Sequence, residues 1–264
     1  MIEQEEQEII PGPVGIIQSR GLGDIIIALP IAYYFLQKGH KVIWPICEEF
    51  YPSFRDTVTW VEWVPIPTDR AGKFFYDRPY FELGSRGCTE FICLYQSLTG
   101  HPELSGRNYF QIQKFDEHKY TAAGVPFLWK WKLRECINRN EEREHDLYKK
   151  LVSDKPYYVT HLKGSSYTAN IDLSHMPEDW QRIDIDDNIT ENIFDWIKVI
   201  EHAQALITVD SAISNMVDQF NISVDKYWIP RSHIHITPVL GSDWTILAAP
   251  PDSLAAKEIF QSAK

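Results

Sequence analysis

A glycine turn near the start of the chain narrows its fold more than any other feature. Arg20-Gly-Leu-Gly-Asp24 separates two apolar runs, Val14-Gly-Ile-Ile before it and Ile25-Ile-Ile-Ala-Leu-Pro30 after it. Strand, tight turn and helix start follow one another in this way in an open α/β domain. Glycine accepts positive φ and lets backbone approach a ligand, and a helix start offers N–H groups without intrahelical partners. Asp24 therefore falls outside the carboxyl end of the first strand, where open α/β sheets bind their ligands. A carboxylate there can cap the helix or take a proton from a bound hydroxyl.

The remaining sequence repeats this alternation. Strands are expected at Val14–Ser19, Lys41–Ile46 and Thr59–Ile66, with helices at Asp24–Gln37, Glu48–Arg55 and Thr89–Leu98. Pro30 either kinks the first helix or marks its true first turn. Residues 67–87, rich in Pro, Gly, Arg and Asp, read as an exposed loop system. Lys130–Leu151 is polar and helical, and Asp154-Lys-Pro156 breaks the chain behind it. Beyond the break come strands at Tyr157–Leu162, Arg182–Ile185, Ala205–Val209 and Lys226–Ile229. Helices are expected from Thr190, as a cap, to about Ala203, and over Ala212–Phe220. Strands alternating with helices predict parallel βαβ units. The expected architecture is α/β, with two Rossmann-like lobes facing a cleft: an N-terminal lobe over 1–125, a connecting helical segment over 126–155 and a C-terminal lobe over 156–264.

Charge and cysteine usage limit the partners. A formal charge of −11 over 264 residues disfavours a general electrostatic grip on nucleic acid. No apolar run approaches the roughly 20 residues of a membrane-spanning helix. The acidic MIEQEEQEII start lacks the basic region of a secretory signal, so a cytoplasmic protein is expected. Cys47, Cys88, Cys93 and Cys136 lack zinc-site spacing and read as reduced, mostly buried thiols. His233 and His235 share a strand face but have no third ligand nearby, so no metal is expected.

Two segments carry a family likeness. Gly21-Leu-Gly-Asp24 with Leu29-Pro30, and Ala203 followed by Ala205-Leu-Ile-Thr-Val-Asp210-Ser211 and Ser214-Asn215, resemble the heptosyltransferase-type family of GT-B glycosyltransferases. That family shows a turn close to GDxxxxxP and a later A…xxIxxDSGxxHxA segment. Two positions depart from it: Ala212 replaces the glycine and Asn215 the histidine. Alanine adds one methyl where backbone would approach a diphosphate, and asparagine keeps hydrogen bonding without a titratable group.

The resemblance implies sugar transfer with inversion from a nucleotide-diphosphate sugar, a co-substrate and not a cofactor, to an acceptor hydroxyl. It implies no metal and a saccharide or glycolipid acceptor. Asp24 would be the base, with Arg20 and Gly23 on the acceptor side. Lys163, Gly164, Ser165, Asp210, Ser211, Ala212 and Asn215 would face the donor. Lys163 reads equally as a solvated loop lysine, and Asp210 as the side chain of an Asx turn. Trp180, Tyr167 and Trp228 are candidates for an aromatic wall under the nucleotide base, whereas Trp129 and Trp131 suit packing of the connecting helix. Two other readings stay open: a GT-B enzyme acting on a hydroxymethylated DNA base, and a non-catalytic nucleotide-binding relative.

Overall fold

The computed structural model describes residues 12–68, 75–95, 113–164, 168–174, 176–230 and 237–247. Ser165, Tyr167, His233, His235 and the acidic N-terminal stretch lie outside the described residues. The chain begins with β1 (Val14–Ile17), turns at Gly21 and enters α1 (Leu22–Gln37). Then come β2 (Val42–Cys47), the single turn α2 (Tyr51–Phe54), β3 (Val61–Ile66), α3 (Asp77–Ser85) and β4 (Glu90–Cys93). These strands form one parallel sheet in the order β3-β2-β1-β4. A helical stretch follows: α4 (Phe115–Ala122), a 3-10 helix over Phe127–Lys132, α5 (Leu133–Cys136) and α6 (Glu141–Leu151). The second parallel sheet, ordered β6-β5-β7-β8-β9, contains β5 (Tyr157–His161), β6 (Gln181–Asp184), β7 (Ala205–Val209), β8 (Asp225–Ile229) and β9 (Trp244–Ile246). Its helices are α7 (Ile197–Glu201) and α8 (Ala212–Gln219). No helix among the described residues is long and apolar enough to cross a membrane.

The strand orders matter for function. β2 and β3 lie on one side of β1 and β4 on the other, so the first sheet reverses direction between β1 and β4. The second reverses between β5 and β7. At each reversal neighbouring connections leave in opposite directions, which opens a crevice at the carboxyl ends of the strands. One buried apolar cluster contains residues of both sheets, among them Ile16, Trp44, Val159 and Leu206.

Several expected elements differ. In place of the helix expected over Thr89–Leu98, Glu90–Cys93 forms the strand β4, pairing residue for residue with Val14–Ile17, while residues 96–98 lie outside the described residues. The loop at 67–87 contains α3; its Leu83 is fully buried, with Cδ1 2.6 Å from where a Cβ on Gly15 would stand, so a side chain at position 15 would have to displace Leu83. The helix expected over Lys130–Leu151 is broken at 137–140, and Asn140 restarts it by accepting the Arg143 N–H at 3.0 Å. Thr190 is not a cap; Asn192 caps the following 3-10 turn through Phe194 N–H at 2.9 Å. Pro30 sits in the middle of α1, not in its first turn.

A buried charge network joins the helical stretch to the second sheet. Lys130 Nζ, with no exposed side-chain surface, lies 2.9 Å from Asp116 Oδ2 and 3.5 Å from Asp218 Oδ2, and also donates to the Val239 carbonyl. Asp116 Oδ2 accepts Val239 N–H at 2.9 Å, while Asp218 Oδ1 accepts Gly241 N–H and Trp244 Nε1–H, each at 2.9 Å. α4, α8 and residues 239–244 are thus fastened to one ammonium. Lys130→Met would strand two buried carboxylates, and losing one member of a buried ion cluster typically costs about 3–5 kcal/mol. Urea unfolding should show that loss, and an unchanged midpoint would contradict it.

Candidate functional site

The β1–α1 turn is held from several directions. Gly21, with φ of 80°, is the N-cap of α1 and supplies the backbone geometry that the turn needs. Gln18 Nε2 donates to Arg20 O at 2.8 Å, and Trp44 Nε1 donates to Gln18 O at 3.0 Å. The Tyr95 hydroxyl accepts Arg20 N–H at 3.1 Å and lies 3.2 Å from Ser19 Oγ. Burial pushes this phenol well above its ordinary value, so it stays neutral.

Asp24 occupies the third position of α1 but makes no capping bond. Its Oδ1 pairs at 3.0 Å with Lys119 Nζ, whose side chain is 3% exposed, against 39% for Asp24. Lys119 also donates to Gln18 Oε1 at 2.7 Å and Leu94 O at 3.0 Å, so all three of its protons have acceptors. Asp24 Oδ2 lies 2.5 Å from where a Cβ on Gly21 would stand, so any larger residue at 21 would displace the carboxylate.

The second sheet contributes the facing wall. His161 ends β5, and its Nδ1 lies 3.0 Å from Ser211 Oγ at the start of α8. Ser211 N–H donates to Ser214 Oγ at 3.0 Å, and Ser214 Oγ–H returns a bond to Ser211 O at 2.8 Å. The helix start is therefore tied down by Ser214, and the Ser211 hydroxyl is turned toward the histidine. The starts of α1 and α8 meet at Gly23. A Cβ there would stand 3.0 Å from Asn215 Nδ2 and 3.3 Å from Ala212 Cα, so glycine permits the approach.

One cavity of about 1170 Å³ joins these groups. It is lined by Arg20, Gly23, Asp24, Lys163, Gly164, Asp210, Ser211, Ala212 and Asn215, the expected site residues that are described. Ser165 lies outside the described residues. The Arg20 guanidinium sits 4.9 Å from the centre of the Phe75 ring. Asp210 and Asn215 are buried at 2% and 4% exposure, deep in the cavity wall. Lys163 is exposed and forms an isolated bridge with Thr168. The proposed aromatic wall needs correction: Trp180 packs on the cluster around Tyr158 and Ile207, Trp228 is buried, and neither lines the cavity. Ile185, Ile193 and Trp196 line it instead. Sequence reasoning missed Lys119, Tyr95 and His161. A lysine 95 positions from Asp24 carries no local signal, whereas a histidine closing a strand beside Lys163 was a usable one.

No protein-family model matches the sequence, and no curated protein matches it at a significant level. Solved structures do. A glycosyl transferase of family 9 from Veillonella parvula superposes with a TM-score of 0.60 at 12% identity, over 99% of this chain and 93% of that one. The E. coli heptosyltransferase WaaC, solved with ADP-2-deoxy-2-fluoro heptose, gives 0.50 at 14% identity over 95% and 98%. The iron-containing dodecameric glycosyltransferase TibC of E. coli gives 0.50 at 11% identity, over 89% of this chain and 62% of that one. The chain shares the GT-B-like fold of these proteins, two parallel α/β sheets whose carboxyl-end residues line one cavity.

Two histidines should make folding sensitive to acid. Burial pushes His161 below its ordinary 6.5, against a smaller upward pull from Asp187. Burial and the Lys119 ammonium push His118 down as well. The unfolded chain protonates both groups as pH falls through 6.5, while the folded protein resists, so their contribution to stability declines on acidification below that point. Urea midpoints compared at about pH 8 and pH 5.5 should show a smaller decline when both histidines are replaced by asparagine. An equal decline in the double variant would place the acid sensitivity elsewhere.

Proposed function

We propose that this chain is a metal-independent glycosyltransferase that moves a sugar from a nucleotide-diphosphate sugar to an acceptor hydroxyl with inversion, the acceptor being a saccharide or glycolipid. The observation that carries this reading is the Asp24 carboxylate, gripped by the buried Lys119 in the same cavity as Ser211, His161 and Lys163. Transfer requires a group to take the acceptor proton and donors to meet the departing diphosphate. Asp24 takes the proton. Lys119 occupies Oδ1, and the other oxygen is left for the acceptor hydroxyl. The opening amides of α8, the Ser211 hydroxyl and the Lys163 ammonium receive the diphosphate charge. The structural likeness to glycosyltransferases supports the same reading through their common fold.

In this account Asp24→Asn leaves donor affinity nearly unchanged, since the amide keeps the shape, while turnover falls on the order of 10²–10⁴-fold. Lys163→Ala should instead weaken nucleotide-sugar binding by roughly tenfold, a modest loss because the lysine is exposed. Near-parental turnover in a folded Asp24→Asn protein would move the base elsewhere.

Lys163 and the helix amides do the work assigned in other enzymes to a divalent ion. Turnover should therefore persist in excess EDTA. Loss that Mn²⁺ or Mg²⁺ restores would show that the leaving group is met by metal.

A further inference from the structure

The imidazole of His161 has a place in the cleft that the mechanism above does not use. It stands at the carboxyl end of β5, beside β7, where the second sheet reverses. Its Nδ1 is committed to Ser211 Oγ at 3.0 Å, and Thr208 Oγ1 lies 3.4 Å beyond that hydroxyl. Nε2, on the opposite edge of the ring, has no hydrogen-bond partner among the described residues, and the residue lines the cavity. One nitrogen is thus positioned by the helix that receives the diphosphate, and the other remains for a ligand.

We propose that His161 is a second catalytic residue of the cleft, its Nε2 hydrogen-bonding the departing diphosphate oxygen as an imidazolium that forms when the nucleotide binds. The inference rests on the glycosyltransferase reading. In the transfer step the anomeric carbon–oxygen bond to the diphosphate breaks, and both its electrons stay on the diphosphate oxygen. The acceptor oxygen bonds to the anomeric carbon, and its proton passes to Asp24. His161 keeps its proton and stabilises the charge gained by the leaving oxygen.

The charged groups that line the cavity with the imidazole are Asp187 after β6, Asp210 after β7 and Lys163 after β5, together with Glu191, Glu49, Asp24, Lys119 and Arg20. In the empty protein, burial opposes protonation and Asp187 favours it. A bound diphosphate adds charge of the sign that draws the proton onto the ring. Ser211 can switch from donating to accepting at Nδ1, so the imidazolium keeps its partner.

The test is calorimetry with ADP and UDP at about pH 7, in buffers of low and high ionisation enthalpy. The parental protein should take up a fraction of a proton per nucleotide bound. His161→Gln should lose that uptake while binding within about tenfold. Its turnover should fall roughly 10²-fold, the usual loss for one donor to a developing oxyanion. The nucleotide's own protonation is common to both proteins, so the difference belongs to His161. A purely structural role would alter the melting temperature without changing the proton count. Equal uptake in parent and variant overturns the inference and leaves the donor site standing. Binding of neither nucleotide to the parent, nor of any nucleotide sugar, overturns the glycosyltransferase reading and this inference together.

Discussion

One buried ammonium organises the N-terminal side of the cleft. Lys119 is 3% exposed and would be costly to bury without partners, yet Gln18, Leu94 and Asp24 each accept one of its protons. Those acceptors come from the residue after β1, the residue after β4 and the first turn of α1. The ion therefore fastens together the strands that flank the reversal of the first sheet and fixes one oxygen of the carboxylate above them. Gly21 and Gly23 make the arrangement possible. The first removes a Cβ from the path of Asp24 Oδ2, and the second lets the start of α8 come up against the start of α1.

The second sheet uses the same geometric opportunity with different chemistry. Its reversal between β5 and β7 brings His161 and Ser211 together at the start of a helix, where backbone amides favour negative charge. A carboxylate with its counter-ion on one side and amides, hydroxyl and imidazole on the other form a cleft polarised across its width. Such polarity suits a proton leaving one reactant and charge collecting on another. The Lys130–Asp116–Asp218 network lies behind this cleft and secures α8, whose first turn lines it.

Much of this was legible in the sequence, for reasons that differ by element. Gly21, Gly23 and Asp24 announce a strand–turn–helix because glycines and an acid are needed locally, within a few residues of one another. Ala205–Val209 and Ala212–Phe220 were equally plain, an apolar run and an amphipathic run around Asp210-Ser211. β4 is ambiguous in the sequence because Thr89–Leu98 satisfies a helical pattern as well as a strand one; only pairing with β1 decides. α3 was hidden by Pro79 and Gly84, although its buried Leu83 packs directly over Gly15. Lys119 and Tyr95 reach the site through tertiary structure alone, from positions far along the chain. Trp180 packs with the cluster around Tyr158 and Ile207, while Trp228 is buried in the same cluster that Ile185 and Ile193 pack against yet does not reach the cavity, and a list of aromatics encodes neither placement.

The central claim is that the crevices of the two sheets form one site for a sugar nucleotide. A crystal structure of the full chain with bound UDP or ADP tests it most directly. The account predicts diphosphate oxygens at the first turn of α8, within hydrogen-bonding distance of Ser211 Oγ and His161 Nε2, with the nucleoside along Ile185 and Ile193 and Asp24 left open to an acceptor. A nucleotide bound outside this cavity, or one whose phosphates contact Asp24 and Lys119 in place of Ser211, would contradict it.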